Sequence, residues 1–213
     1  MKFSVLLMLC LSFFACSRTL EKDYKVVDAS MEEIPEWVID LEEWLDDEVD
    51  DEEVEKNRFY IYTSEPKNDR DIACKLAHAN SAASVAAEIS TFIKESFAQS
   101  KSGDPSKTDS KLSEYLQNDL YKEVQATITG IQQYRKYWEK RRYKQDMGAK
   151  KDWDGYVCTS LVKIPKKQLQ KSFERVEKSL ETKVNNQAKQ QVNKLLKETK
   201  DKYLNDADSD SDE

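Results

Sequence analysis

The sequence predicts an α+β domain in which a long, alanine-rich helix packs on a three-stranded antiparallel sheet, in the order β-α-β-β-α. Short runs of aromatic and β-branched residues, typical of strands, alternate with long segments whose apolar residues recur every three or four positions. A proline closes the last strand and opens a final helix. A long C-terminal helix and acidic, disordered arms complete the predicted architecture.

The first strand is predicted at residues 59–63. Asp69 or Asp71 then caps a long helix. Its predicted buried stripe is Ile72, Leu76, Ala79, Ala83, Ala86, Ile89, Ile93 and Phe97. A short helix at 111–121 is expected to follow a polar linker.

The second strand is predicted to start at Val124 and to continue to residue 143, and the third covers residues 155–164. Pro165 opens a helix that ends near Leu204. Its stripe is Leu169, Phe173, Val176, Leu180, Val184, Ala188, Val192 and Leu195. Residues 166–182 are predicted to pack on the domain, and the remainder to project or associate weakly.

Charge divides the chain into an acidic arm, a basic body and an acidic tail. Residues 17–58 carry five basic and seventeen acidic side chains, and residues 59–205 carry twenty-eight and nineteen. We predict a signal peptide at 1–15, a lipid-anchored acidic arm at 16–57, the α+β domain at 58–182, and a helical extension with an acidic tail at 183–213. Like-charge repulsion favours an arm that is partly disordered and acts as a spacer.

The first sixteen residues predict export and lipidation. Lys2 precedes an apolar stretch too short for a membrane span, which needs about 20 residues, but long enough for a signal peptide. Ala15 followed by Cys16 resembles a lipobox, in which the cysteine takes a diacylglycerol and becomes the N-terminus. The lipid on Cys16 would then be the membrane anchor. Secretion with a cut after Ser17, or an N-terminus that is not exported, are the alternatives.

Cys74 and Cys158 are the cysteines left for a structural role once Cys10 leaves with the signal peptide. An oxidising envelope would allow them to form a disulfide. The alternative, which the sequence favours, is two small buried hydrophobes that never meet, because free cysteine is among the most buried residue types. No Cys/His cluster occurs, so a structural zinc site is excluded on ligand count.

A basic and aromatic segment at 134–151 is the candidate binding surface. Basic groups with interleaved rings can neutralise phosphates and stack on planar groups. In an exported protein they favour anionic lipid or polysaccharide, or an acidic protein, over nucleic acid. The interpretation that the sequence favours over any external ligand is contact with the chain's own acidic arm, or a simple solvated face. The candidate residues are Arg135, Lys136, Trp138, Lys140, Arg141 and Arg142.

The sequence favours a non-enzymatic protein without a metal or cofactor. His78, the only histidine, is expected to be a half-buried helix side chain rather than a catalytic base. The four glycines form no phosphate loop, dinucleotide fingerprint or nucleophile elbow. The acidic tail lacks the Gly and Glu that close a calcium loop. A secreted hydrolase with an unconventional site and a cytosolic nucleic-acid binder are the alternatives.

The order of these elements resembles that of the small outer-membrane lipoproteins of the LPP-twenty type, which are similar to the N-terminal domain of flagellar assembly protein T. The resemblance covers about residues 31–182. It is carried by Pro35 and Trp37, the aromatic strand, the alanine-rich helix, Trp138, and the strand that runs into Pro165. It implies a non-enzymatic lipoprotein at the periplasmic face or cell surface, linked to motility or envelope structure. Ser17, in place of an inner-membrane retention Asp, favours the outer membrane.

Overall fold

The computed structural model describes residues 22–100, 110–183 and 186–205, and it confirms the α+β class. The sheet has four antiparallel strands rather than three, in the order β1-β3-β4-β2. These are β1 Tyr24–Ala29, β2 Asn57–Thr63, β3 Gln132–Tyr143 and β4 Trp153–Pro165. The helices of the described residues are α1 Glu36–Ile39, α2 Leu41–Glu48, α3 Asp51–Lys56, α4 Arg70–Ser100, α5 Ser110–Asn118, α6 Leu120–Gln125, α7 Lys166–Lys183 and α8 Asn186–Asn205.

Both faces of the sheet are covered by helices. Successive strand residues point to opposite faces, so Phe59 and Leu161 join one apolar cluster while Tyr60 and Val162 join another. The face that packs α4 and α6–α8 is called the α4 face, and the opposite one, which packs α1–α3, the α2 face. The result is a three-layer domain with the sheet in the middle.

α4 lies against the sheet through small side chains in its first half. Asp69 caps the helix, accepting a hydrogen bond from the Ile72 N–H at 2.9 Å. The predicted stripe is right from Ala86 onward but wrong before it, because Ile72 is 53% exposed. The buried positions there are Ala73, Ala77, Ser81 and Val85. The alanines and the serine allow close approach to β4, whereas hydrophobicity alone pointed to Ile72 and Leu76.

The prediction of a disordered acidic spacer is wrong for residues 24–56. Trp37 and Trp44 are buried on the α2 face against Phe59, Tyr137 and Leu161. Burying an aromatic side chain removes about 150–250 Å² from water, or roughly 4–6 kcal/mol. A like-charge pair on a helix costs only about 0.2–0.5 kcal/mol. Two tryptophans therefore outweigh the repulsion among carboxylates that remain in solvent.

The strands differ from the sequence prediction in two further places. β1 was not predicted because most of its side chains are exposed at the sheet edge, so it lacks the alternation of a half-buried strand. The strand expected from Val124 is instead α6 followed by a turn, and β3 begins only at Gln132. Leu120 and Val124, one helical turn apart, are fully buried, which favours the helix.

The C-terminal segment folds back rather than projecting. α7 and α8 form an antiparallel hairpin, because Asn193 donates to Glu181 and the Tyr203 ring lies 5.6 Å from that of Phe173. Leu196 and Tyr203, each 2% exposed, belong to the α4-face core. The described domain thus extends beyond residue 182, while the predicted tail at 206–213 lies outside the described residues.

Candidate functional site

The six predicted binding residues do not form one patch, because they alternate along β3. Lys136, Trp138, Lys140 and Arg142 lie on the α4 face. Arg135 and Arg141 lie on the α2 face, in register with Leu161 and Gly155. A single flat ligand could not contact all six, since the sheet itself separates them.

On the α4 face, two of these cations hold Asp154 of β4. Arg142 donates twice to its carboxylate, at 2.9 and 3.1 Å, and Lys140 lies 3.2 Å away. The Arg142 hydrogen bonds and, after them, Lys140 lower the pKa of Asp154 to about 2. These charges therefore stabilise the β3–β4 pair, although the site is exposed and solvent screens it.

Trp138 of β3 lies beside the start of α4. The Arg70 guanidinium is 5.2 Å from the centre of its ring, and the Tyr156 ring centre is 6.0 Å from it. A cavity of about 320 Å³ opens beside it. Its lining includes the carboxylates of Asp28, Asp69 and Asp71. An anionic ligand would meet three acids there, which does not fit the predicted chemistry.

On the α2 face, both arginines are engaged internally. Arg135 lies 5.0 Å from the centre of the Trp44 ring, so the acidic N-terminal segment does contact the basic one, through an aromatic group. Arg141 pairs with the buried Glu139 and lies 4.2 Å from the Tyr24 ring. Lys163 of β4 contacts Glu53 of α3, which also joins the two segments by charge.

Cys74 and Cys158 are joined in a disulfide that ties α4 to the central strand β4, with their Cα atoms 4.9 Å apart. This is the alternative that the sequence did not favour. The pairing is possible because Ala73 and Ala77 bring α4 close to the sheet at this point. Cys158 is fully buried and Cys74 is half-buried, so the favoured prediction of two buried cysteines that never meet is wrong.

A buried polar cluster holds α8 against β2 and α4. The Tyr60 and Tyr203 hydroxyls lie 2.9 Å apart, and Tyr203 donates to Glu88 at 2.9 Å. Arg58 donates to the Tyr203 carbonyl and lies 4.1 Å from its ring centre. Burial raises the pKa of both tyrosines well above the usual value near 10, against the opposing effect of Arg58.

The first described residues lie beside the turn between β3 and β4. We call residues 143–153 the hairpin tip. The backbone carbonyl of Asp23 accepts a hydrogen bond from the Lys144 N–H at 3.2 Å, and the Tyr24 and Tyr143 rings are 5.4 Å apart. Tyr143 in turn stacks on Trp153 at 4.7 Å. An aromatic row thus crosses β1, β3 and β4 at this end of the sheet.

Lysines surround this aromatic row. Lys144 donates to Asp152 at 2.8 Å, whereas Lys22, Lys150 and Lys151 are exposed. A 3₁₀ turn at Gln145–Met147 and Gly148, at φ 100°, close the hairpin. The positive φ explains why glycine occupies that position. The tip therefore presents aromatic rings and the ammonium groups of Lys150 and Lys151, beside the exposed carboxylates of Asp146 and Asp152.

Among the remaining candidates, His78 is half-buried on α4, as expected, and its Nδ1 has no hydrogen-bond partner within the described residues. Cys16 and the predicted signal peptide lie outside the described residues. The described ranges contain no group of three or more His, Cys, Asp or Glu side chains that could hold a metal ion. Across those same ranges, no helix has the length and apolarity that crossing a membrane requires.

Comparison with protein-family models, curated proteins and solved structures gives no match to this chain. The resemblance to LPP-twenty lipoproteins therefore rests on the order and spacing of elements, and it stays a prediction.

The sequence did not predict the acidic partners of the basic segment. These are Glu139, Asp152 and Asp154, which pair with Arg141, Lys144 and Arg142. Period-two alternation in residues 135–142 was a usable signal, because it assigns consecutive side chains to opposite faces. The network of Tyr60, Tyr203 and Glu88 had no such signal. Tyr203 lies 143 residues after Tyr60 and 115 residues after Glu88, so only the tertiary fold brings them together.

Proposed function

We propose that this protein is an exported, lipid-anchored module of the bacterial envelope that is attached through Cys16 and acts by interaction rather than catalysis. The observation that carries the proposal is the disulfide between Cys74 and Cys158. Disulfides form and persist in oxidising compartments and are rare in the cytosol. The pair Ala15-Cys16, read as a lipobox, predicts the same compartment on independent grounds.

A non-catalytic role is supported by how the charged side chains are used. Lys140, Arg141 and Arg142 pair with Asp154 and Glu139, and Arg135 stacks on Trp44. The pairs with Asp154 join β3 to β4 and Arg135 joins the sheet to α2, while Arg141 and Glu139 pair within β3. Together with the disulfide, these contacts hold the strands and helices in fixed positions. A module that acts by interaction needs such a framework to present its binding surface to a partner.

The outer membrane is the proposed location, on the periplasmic face or at the cell surface. This location, and a link to motility or envelope structure, come from the resemblance to LPP-twenty lipoproteins. The binding of anionic envelope polymers through residues 134–151 is a weaker candidate, because its cations face opposite sides of the sheet.

Labelling with radioactive palmitate tests the anchor. In cells that express the full chain, we expect label in the wild type and in Cys10→Ala, and none in Cys16→Ala, because the acylated thiol is then missing. The mass of the mature protein should correspond to an acylated Cys16 N-terminus. Equal labelling of Cys16→Ala and wild type would contradict the proposal.

A further inference from the structure

The way the chain leaves the domain limits the distance between the domain and its proposed anchor. Five residues, and so six Cα–Cα steps, separate Cys16 from Lys22, the first described residue. An extended chain spans at most about 3.6 Å per residue, so this tether reaches no further than roughly 22 Å. Residues 24–56 pack on the sheet and add nothing to that reach. The domain is thus held close to the bilayer rather than on a long spacer.

The tether also selects the end of the domain that is closest to the membrane. It enters at Tyr24, which pairs with Tyr143 at the start of the hairpin tip. Trp and Tyr rings are enriched at membrane–water interfaces, where one part of the ring is apolar and the other is hydrated. Tyr24 and Trp153, both half-buried, supply such rings, and the exposed Lys22, Lys150 and Lys151 surround them.

The uneven distribution of charge along the sheet favours one orientation of the domain at an anionic surface. The acidic helices lie at the opposite end of the sheet, where Glu53 of α3 contacts Lys163, the residue paired with Gln132. β3 runs from Gln132 to Tyr143, so the two ends are roughly 35 Å apart. That distance exceeds the screening length of about 8–10 Å at physiological salt. Residues 22–24 and 143–153 carry four lysines and three aspartates, whereas residues 36–56 carry twelve acidic side chains and one lysine. An anionic surface would therefore repel the acidic helices and leave the tip as the end that can approach it.

We infer that the hairpin tip, together with Lys22 and Tyr24, is a docking surface for an anionic phospholipid bilayer, the one that holds the lipid on Cys16. The inference rests on the proposed anchor. The exposed Val26 and Val27 extend the same surface along β1 with apolar side chains. The docked domain directs α1–α3 and the start of α7 away from the membrane.

The experiment uses the full chain, expressed so that it is lipidated, then purified and reconstituted into vesicles. One set contains phosphatidylcholine with phosphatidylglycerol, and the other contains phosphatidylcholine alone. A fluorophore is attached through Ala149→Cys at the tip or, as the control, through Glu55→Cys in α3 at the acidic end. Quenching by a headgroup-attached quencher reports contact with the lipid surface.

We expect strong quenching at position 149 in anionic vesicles, much weaker quenching there in neutral vesicles, and little at position 55 in either. Lys150→Glu with Lys151→Glu should lower the docked-to-undocked ratio at least about twenty-fold, because each lysine near an anionic surface is worth about fivefold. The matched reversal of two exposed lysines on α7, Lys167→Glu with Lys171→Glu, should leave the ratio unchanged.

The outcomes separate this inference from the proposed function. If the protein is not retained by vesicles at all, the anchor is wrong and the docking surface falls with it. If the protein is retained but the two labels are quenched equally in anionic vesicles, the anchor stands and the docking surface is wrong. If position 149 is still strongly quenched in neutral vesicles and in the variant Lys150→Glu with Lys151→Glu, the docking surface for anionic lipid is also wrong.

Discussion

Single residues stabilise this fold chiefly by joining elements that are far apart in sequence. Cys74 and Cys158 are separated by 84 positions and connect the helix on the α4 face to a central strand. Tyr203 connects the end of the described chain to Glu88 on α4 and to Tyr60 on β2. Removing such a residue releases an element, so its effect exceeds that of a local contact.

The disulfide is expected to contribute about 4 kcal/mol to the free energy of unfolding, because it closes a loop of 84 residues in the unfolded chain. Urea unfolding of the wild type with and without reductant measures this contribution. Cys74→Ser with Cys158→Ser should unfold like the reduced wild type and show no further response to reductant. Equal midpoints for the oxidised and reduced wild type would contradict the expectation.

At the scale of elements, helix packing overrides local charge. α2 carries acidic residues along its exposed side and still forms, because Trp44 is 4% exposed beneath Arg135 and beside Tyr134. Asp40 caps it by accepting hydrogen bonds from the Glu42 and Glu43 N–H groups, each at 3.1 Å. The segment is therefore a structural layer of the domain.

Trp44→Ala should lower the free energy of unfolding by about 3–5 kcal/mol, as for other large buried aromatic side chains. The exposed neighbour Asp47 supplies the control, since Asp47→Ala should change stability by no more than about 0.5 kcal/mol. Chemical denaturation of both variants decides the question. A Trp44→Ala protein as stable as the wild type would mean that α2 is not packed in solution.

At the scale of the whole molecule, both cores hold tyrosines whose pKa is raised by burial, so alkaline pH destabilises both. The α4-face core holds Tyr60 and Tyr203 neutral, because burial raises the pKa of both. A tyrosine whose pKa is raised in the folded state contributes fully to the free energy of unfolding below its unfolded-state pKa, near 10. That contribution is lost as the pH rises above 10 and through the folded-state pKa. The α2-face core contains Tyr137, whose pKa is also raised by burial and by Glu139, the carboxylate that Arg141 pairs with.

Alkaline unfolding tests this arrangement. Stability should fall as the pH rises above 10, and Tyr60 and Tyr203 should ionise only together with the loss of helical circular dichroism. The ultraviolet absorbance of tyrosinate follows their ionisation. In Tyr60→Phe with Tyr203→Phe, the absorbance step that accompanies unfolding should shrink by two tyrosines. If it does not shrink, both groups titrate in the folded state and the prediction is wrong.

The sequence predicted much of the fold and little of the candidate site. The helices beginning near residues 70 and 166, the aromatic strand and the strand before Pro165 all follow local periodicity, which a single segment carries by itself. The edge strand β1 and the packed acidic helices were not predictable in that way. They pack against Tyr143 and Tyr137, which lie more than eighty positions further along the chain.

By itself, the sequence determined the α+β class, a cap at Asp69 or Asp71, the late α4 stripe from Ala86 to Phe97, and the α7 stripe from Leu169 to Leu180, since each depends on neighbours one to four positions away. Only the tertiary structure decided that the basic residues split between two faces, that Cys74 meets Cys158, and that the chain enters beside the hairpin tip. Those outcomes depend on strand register and helix approach. Both are set by packing across the sheet, which no local pattern encodes.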